Sequence, residues 1–150
     1  MGAVSTIKIL FFFQKNVNLP ERKRLKQFLS GFFQQAGKTS GEIRIIFCSD
    51  EELLTMNQHH LKHNYYTDII TFPFTNFNEP VIEAELYISI DRVKDNAAYN
   101  QVTFLHELHR VIFHGCLHLI GLGDKSEEEQ RFMKQEEDLL LNKYFVSRGT

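Results

Sequence analysis

The chain has 150 residues, 43% of them hydrophobic and 24% charged, and its 17 Lys and Arg against 19 Asp and Glu leave a formal net charge of −2. This length suits a single domain over residues 1–150 with one buried core, and the composition excludes a disordered chain. Bulk charge does not mark a nucleic-acid binder, so any such binding must be local; the longest apolar run, Ile9-Leu10-Phe11-Phe12-Phe13, falls far short of the ~18 residues of a membrane span, so no membrane partner is expected.

In chain order, residues 7–13 predict a buried strand. Met1–Thr6 fits a myristoylation pattern, but no second anchoring signal accompanies it, and no signal peptide is legible, so a cytoplasmic protein is expected. Pro20 marks a helix start with Asn18 as its cap, and Leu25, Phe28, Leu29, Phe32, Phe33 and Ala36 follow at helical spacing up to Gly37. Glu42–Phe47 predicts a second strand. Ser49 or Asp50 caps a short helix through about Leu61. Thr67–Phe74 predicts a third strand, followed by a turn at Asn76–Pro80, and Leu86–Asp91 alternates as a strand with one buried face. Asp91 opens a helix through Ala97, residues 102–120 form an apolar helix ending at Gly121, and Ser126-Glu127-Glu128-Glu129 is a capping box for a last helix to about Phe145. The expected class is α+β, with about four strands packed with about five helices; the strand order is not readable.

Two cysteines, Cys48 and Cys116, exclude a four-thiolate metal site, whereas seven histidines fall in two clusters. His114 and His118 are four apart on the long helix, so their imidazoles share a face one turn apart and can reach one ion at ~2.0–2.1 Å. A pair of this spacing is common by itself. The helix stop at Gly121 and the carboxylate of Asp124 just beyond it turn the pair into a candidate metal site, with Asp124 as the third ligand. Cys116 points to the opposite face and reads as core. His106 and His109 read as surface or outer residues, and Glu107 either orients a ligand or is an exposed helix residue. His59, His60 and His63 read as solvent-exposed or bordering a cleft. Arg22-Lys23-Arg24 and Lys26 read as a solvated helix face.

The segment His114-Gly115-Cys116-Leu117-His118-Leu119-Ile120-Gly121 resembles the hallmark of the YbeY-type endoribonucleases, the bacterial rRNA maturation factors. Thr67-Asp68-Ile69-Ile70-Thr71-Phe72-Pro73, Leu86-Tyr87-Ile88-Ser89 and Met56-Asn57 resemble further segments of that family, and the resemblance runs in order over residues 42–140. It implies a cytoplasmic, zinc-dependent endoribonuclease acting on single-stranded RNA in rRNA maturation and ribosome quality control. It also implies one α+β domain with one Zn2+ per chain on a helix beside the sheet. RNA and the ribosome are the implied partners, and no DNA is expected.

Three departures stand out. Asp124 replaces the family's usual third histidine, which makes the site one charge more negative and the metal a weaker Lewis acid. Leu61 stands where the family carries an arginine, with Lys62 beside it as a point charge. Ala84-Glu85 replaces the family's Gly-Asp.

The expected chemistry is phosphodiester hydrolysis by water activated at the metal. Lys62, Thr67, Asp68 and Glu107 are the expected cleft residues, and Lys62, Arg92 and Lys94 are candidates to hold the RNA backbone. A zinc peptidase is the first alternative, but it needs a glutamate directly after the first histidine, where this chain has Gly115. A non-catalytic ribosome-binding module with a structural metal is the second. Such sites usually close with four protein ligands, and here three are convincing.

Overall fold

The computed structural model describes residues 6–60 and 66–147. In chain order these form β1 (Thr6–Phe13), α1 (Arg22–Gln35), β2 (Ser40–Cys48), α2 (Asp50–His60), β3 (Ile69–Pro73), β4 (Val81–Ser89), α3 (Ile90–Asn100), α4 (Phe104–Leu119) and α5 (Glu127–Ser147). The four strands make one sheet in the order β1-β2-β4-β3, with β1, β2 and β4 parallel and β3 antiparallel to β4. The α+β expectation therefore holds. The mixed pairing follows from the connections: a helix links β1 to β2, as a parallel crossover requires, whereas a short turn joins β3 to β4.

The sheet is covered unequally. One face presents Ile7, Ile9, Ile43, Ile45, Phe47, Leu86 and Ile88 to α1, α3, α4 and α5, and this is the main core. On the other face α2 covers one end, its Leu53 packing with Cys48 and Ile70 of the sheet. Ile45, Ile46, Phe47 and Cys48 are thus all buried at the end of a central strand enclosed from both sides. Both cysteines are core, with burial pushing the Cys48 thiol up to about 12 and the Cys116 thiol also upward. The 61–65 segment, with Leu61, Lys62 and His63, lies outside the described residues, as do residues 1–5.

Several boundaries differ from the sequence expectation for identifiable reasons. Helix α1 starts at Arg22 after a left-handed Glu21, φ 54°, and Asn18 does not cap it. Leu19 is buried in the core and pins the preceding chain, so the helix begins only after it. The fourth strand begins at Val81 and ends at Ser89, because the Ser89 hydroxyl accepts from the Arg92 N–H at 3.1 Å and opens α3. Thr67 and Asp68 precede β3 rather than lying in it. The basic run at the start of α1 is not simply solvated: Arg22 lies 4.2 Å over the Phe13 ring and Arg24 lies 4.1 Å over Tyr144.

Gly115 explains how α4 meets the sheet. A Cβ there would stand 2.7 Å from Ile69 Cδ1 and 3.1 Å from Leu86 Cδ1, so any side chain at this position makes both neighbours give way. The position therefore faces the sheet, not the cleft. Gly115→Glu drives a carboxylate into this packed apolar contact, and its expected cost is at least ~3 kcal/mol in chemical denaturation.

Candidate metal centre

His114 and His118 lie one turn apart on α4 with their ring centroids 4.5 Å apart and the rings nearly perpendicular, at 87°. The end of α4 then brings in the third group. Gly121 has φ 106°, its N–H donates to the His118 carbonyl at 3.0 Å, and the Leu122 N–H donates to the Leu117 carbonyl at 3.1 Å. This glycine-terminated helix end turns the chain back over the last turn. Asp124, in the loop before α5, thereby places Oδ2 3.2 Å from His118 Nε2 and 3.4 Å from His114 Nε2, while the two Nε2 atoms are 2.9 Å apart.

The Nδ1 partners orient both rings of the triangle. His118 Nδ1 lies 2.7 Å from the Leu122 carbonyl, which can only accept, so Nδ1 carries the proton. His114 Nδ1 lies 2.6 Å from Glu137 Oε2 and donates to it. In the neutral imidazoles both Nε2 atoms turn a lone pair toward Asp124 Oδ2. Three acceptors at these separations repel one another unless a metal ion, or a proton on one of the imidazoles, lies between them. An ion held tetrahedrally at 2.0–2.1 Å from each ligand needs edges of about 3.3–3.4 Å, close to those present. The donor set of two imidazoles and one carboxylate thus fits a metal ion.

Charged groups surround the triangle. Glu137, on α5, accepts from Arg110 Nη1 at 2.7 Å through its second oxygen, and Arg110 also pairs with Asp138. Burial by itself lowers the His114 pKa, but the hydrogen bond and charge of Glu137, with Asp68 and Asp124, outweigh it and raise it above the ordinary histidine value. Burial also raises the Asp68 carboxyl, and it raises Glu107 together with the neighbouring Asp68 charge.

Two clefts open on either side. One, about 700 Å³, lies beside β3 and is lined by Asn57, Thr67, Asp68, Thr71, His118 and Lys125, among others. The second, about 580 Å³, lies between α4 and α5 and includes Asn100, His106, Glu107, Arg110, Met133 and Lys134. His114 and Asp124 line both.

The expected ligands His114, His118 and Asp124 are thus brought together. Thr67 and Asp68 line the β3 cleft, and Lys62 lies outside the described residues. Glu107 is buried rather than exposed and lines the other cleft, while the carboxylate that meets His114 is Glu137. His109 is neither surface nor near the triangle. It is 1% exposed, stacks on Tyr144 at 5.2 Å and donates from Nδ1 to the Leu105 carbonyl at 2.7 Å. Three residues along a helix is ~300°, so His109 turns about 60° away from His106, into the aromatic contact with α5. His59 is exposed on α2. Arg92 is engaged with Asp50 at 2.7 Å, and Glu85 pairs with Arg44 at 2.9 Å on the opposite face of the sheet, remote from the site.

Asp68 gives a test of the electrostatics. Its folded-state pKa lies above its unfolded value, so its contribution to stability is present at low pH and is lost as pH rises through the folded value. Asp68→Asn is therefore expected to raise the melting temperature at pH 7, with the advantage vanishing at about pH 3–4. Thermal melts of the metal-free protein across that range check it.

Residues 12–145 match the family model described as Endoribonuclease YbeY. The chain belongs to the YbeY family. A YbeY endoribonuclease of Parabacteroides distasonis is 39% identical over 132 residues, covering 87% of this chain and 92% of that one. The YbeY endoribonuclease of Cytophaga hutchinsonii is 43% identical over 135 residues, covering 89% and 94%. Among solved structures, the solution structure of a Thermotoga maritima protein is similar with a TM-score of 0.63 at 25% identity, covering 94% of this chain and 90% of that one. The YbeY match encloses His114, His118, Asp124 and Glu137 alike. Among the described residues, no helix is long and apolar enough to cross a membrane.

Proposed function

We propose that this protein is an endoribonuclease that hydrolyses single-stranded RNA with one zinc ion per chain held by His114, His118 and Asp124. Its proposed setting is rRNA maturation and ribosome quality control in the cytoplasm. The observation that carries this reading is the convergence of three acceptor atoms within 2.9–3.4 Å, in a chain of the YbeY family. When bound, zinc supplies Lewis acidity toward a phosphoryl oxygen and lowers the pKa of water toward about 7.

The chain's own residues prepare that site. Glu137 and the Leu122 carbonyl hold the Nδ1 protons, fixing both rings in the tautomer that ligates. Three protein ligands leave a position open to solvent and substrate, unlike a closed structural site. Thr67 and Asp68 form the wall along which the strand lies, and Lys125 places a cation at its rim. The peptidase alternative loses ground, because the position its glutamate needs is packed against Ile69 and Leu86.

Purified protein is expected to carry about one zinc per chain by elemental analysis. It should cleave unstructured RNA, lose that cleavage with chelator and regain it with zinc. Cutting of a peptide with RNA left intact would overturn the reading.

A further inference from the structure

The candidate metal site is not at the bottom of one pocket. It lies on a saddle, with His114 and Asp124 forming the common rim of two clefts of about 700 and 580 Å³. A phosphodiester has a nucleoside on each side. If its phosphorus lies at the saddle, the two nucleosides must leave in different directions. Each cleft is within the ~300–1,000 Å³ range that takes a group of this size.

We propose that the cleft between α4 and α5 is a subsite for one of the two nucleosides flanking the scissile phosphate, the β3 cleft taking the other. This rests on the endoribonuclease reading and adds to it where the strand runs.

The lining of the α4–α5 cleft suits a nucleoside better than a phosphate. Val102 and the buried Met133 offer an apolar surface, and His106 offers a flat ring against which a base can lie. The Asn100 amide donates to Glu107 and Gln130 Nε2 donates to the Asp124 carbonyl at 3.0 Å, which leaves their side-chain oxygens to accept from a base edge. The carboxylates of Glu107 and Glu137 line the same cleft, and they disfavour an anion within it. Lys134, exposed on α5, is a cation lining this cleft, available to the next phosphate of the strand. The β3 cleft has a different character, with Thr67, Thr71 and Asn57 hydroxyls and amide beside Ile69 and Pro73. A strand laid across the saddle meets two chemically distinct subsites.

The test is kinetic and uses the zinc-loaded protein. Once the cut in a short single-stranded RNA is mapped, two further RNAs carry an abasic ribose immediately 5′ or immediately 3′ of it. His106→Ala and Lys134→Ala are made separately, since Lys134 is exposed and neither side chain belongs to the main core. Each is expected to raise KM for the intact RNA about tenfold, with kcat changed far less. The His106→Ala penalty should disappear with one abasic RNA and persist with the other, the non-additivity expected of groups in contact. A His106→Ala penalty that persists with both abasic RNAs, or unchanged KM in both variants, would overturn the subsite. Absence of any RNA cleavage by the unaltered zinc-loaded protein would overturn the endoribonuclease reading itself.

Discussion

Replacing His118 by alanine is expected to remove the bound metal and the RNA cleavage together while leaving the fold in place. His118 packs in the last turn of α4 with a quarter of its side chain exposed, and its one protein hydrogen bond besides the triangle is to the Leu122 carbonyl. Losing that bond costs about 1 kcal/mol. Loss of the ion removes several kcal/mol of transition-state stabilisation, so cleavage should fall by about 10³-fold or more. Elemental analysis, circular dichroism melts and RNA cleavage on one preparation check this. A variant that keeps one metal per chain removes His118 from the ligand set. Asp124→Ala should weaken metal binding less steeply, because the two imidazoles on α4 remain one turn apart and its carboxylate, 43% exposed, is held by the loop alone.

Glu137→Ala is the second large effect, and it acts without touching the ion. The carboxylate is only 9% exposed, takes the His114 Nδ1 proton at 2.6 Å and pairs with Arg110 at 2.7 Å. Its removal frees the His114 ring to change tautomer and leaves Arg110 with Asp138 alone. Metal affinity should fall about 10–100-fold, and the metal-free protein should lose about 1–3 kcal/mol. Glu137→Gln keeps an acceptor for the Nδ1 proton but not the charge, so it should recover part of the metal affinity. Competition with a chelating dye measures the first effect and denaturation of the metal-free protein the second. Equal metal affinity in all three proteins would show that Glu137 supports only the packing of α5 on α4.

Local patterns were legible wherever their cause is local. The capping box at Ser126 and Glu129 forms with reciprocal bonds of 3.1 Å, and Ser49 and Glu52 form another at 3.1 Å. The alternation of Leu86–Ser89 gave the buried face of β4, and the four-residue spacing gave the shared face of His114 and His118. Asn18 misled as a cap because the burial of Leu19 overrides a weak local preference. His109 misled because the aromatic side of α5 is not in its own helix.

By itself, then, the sequence determined the shared face of His114 and His118 on α4, the turn at Gly121 that returns Asp124 to it, and the resemblance that the YbeY match bears out. These depend on helical period and chain reversal, which act over a few residues. Only the tertiary structure decided that Glu137, 23 residues beyond His114, orients it instead of Glu107, and that Gly115 faces the sheet. It likewise decided that Glu85 lies across the sheet from the site and that two clefts meet at one rim. Each of those outcomes comes from how α4, α5 and the sheet pack against one another, and such packing joins residues whose spacing along the chain carries no record of their contact.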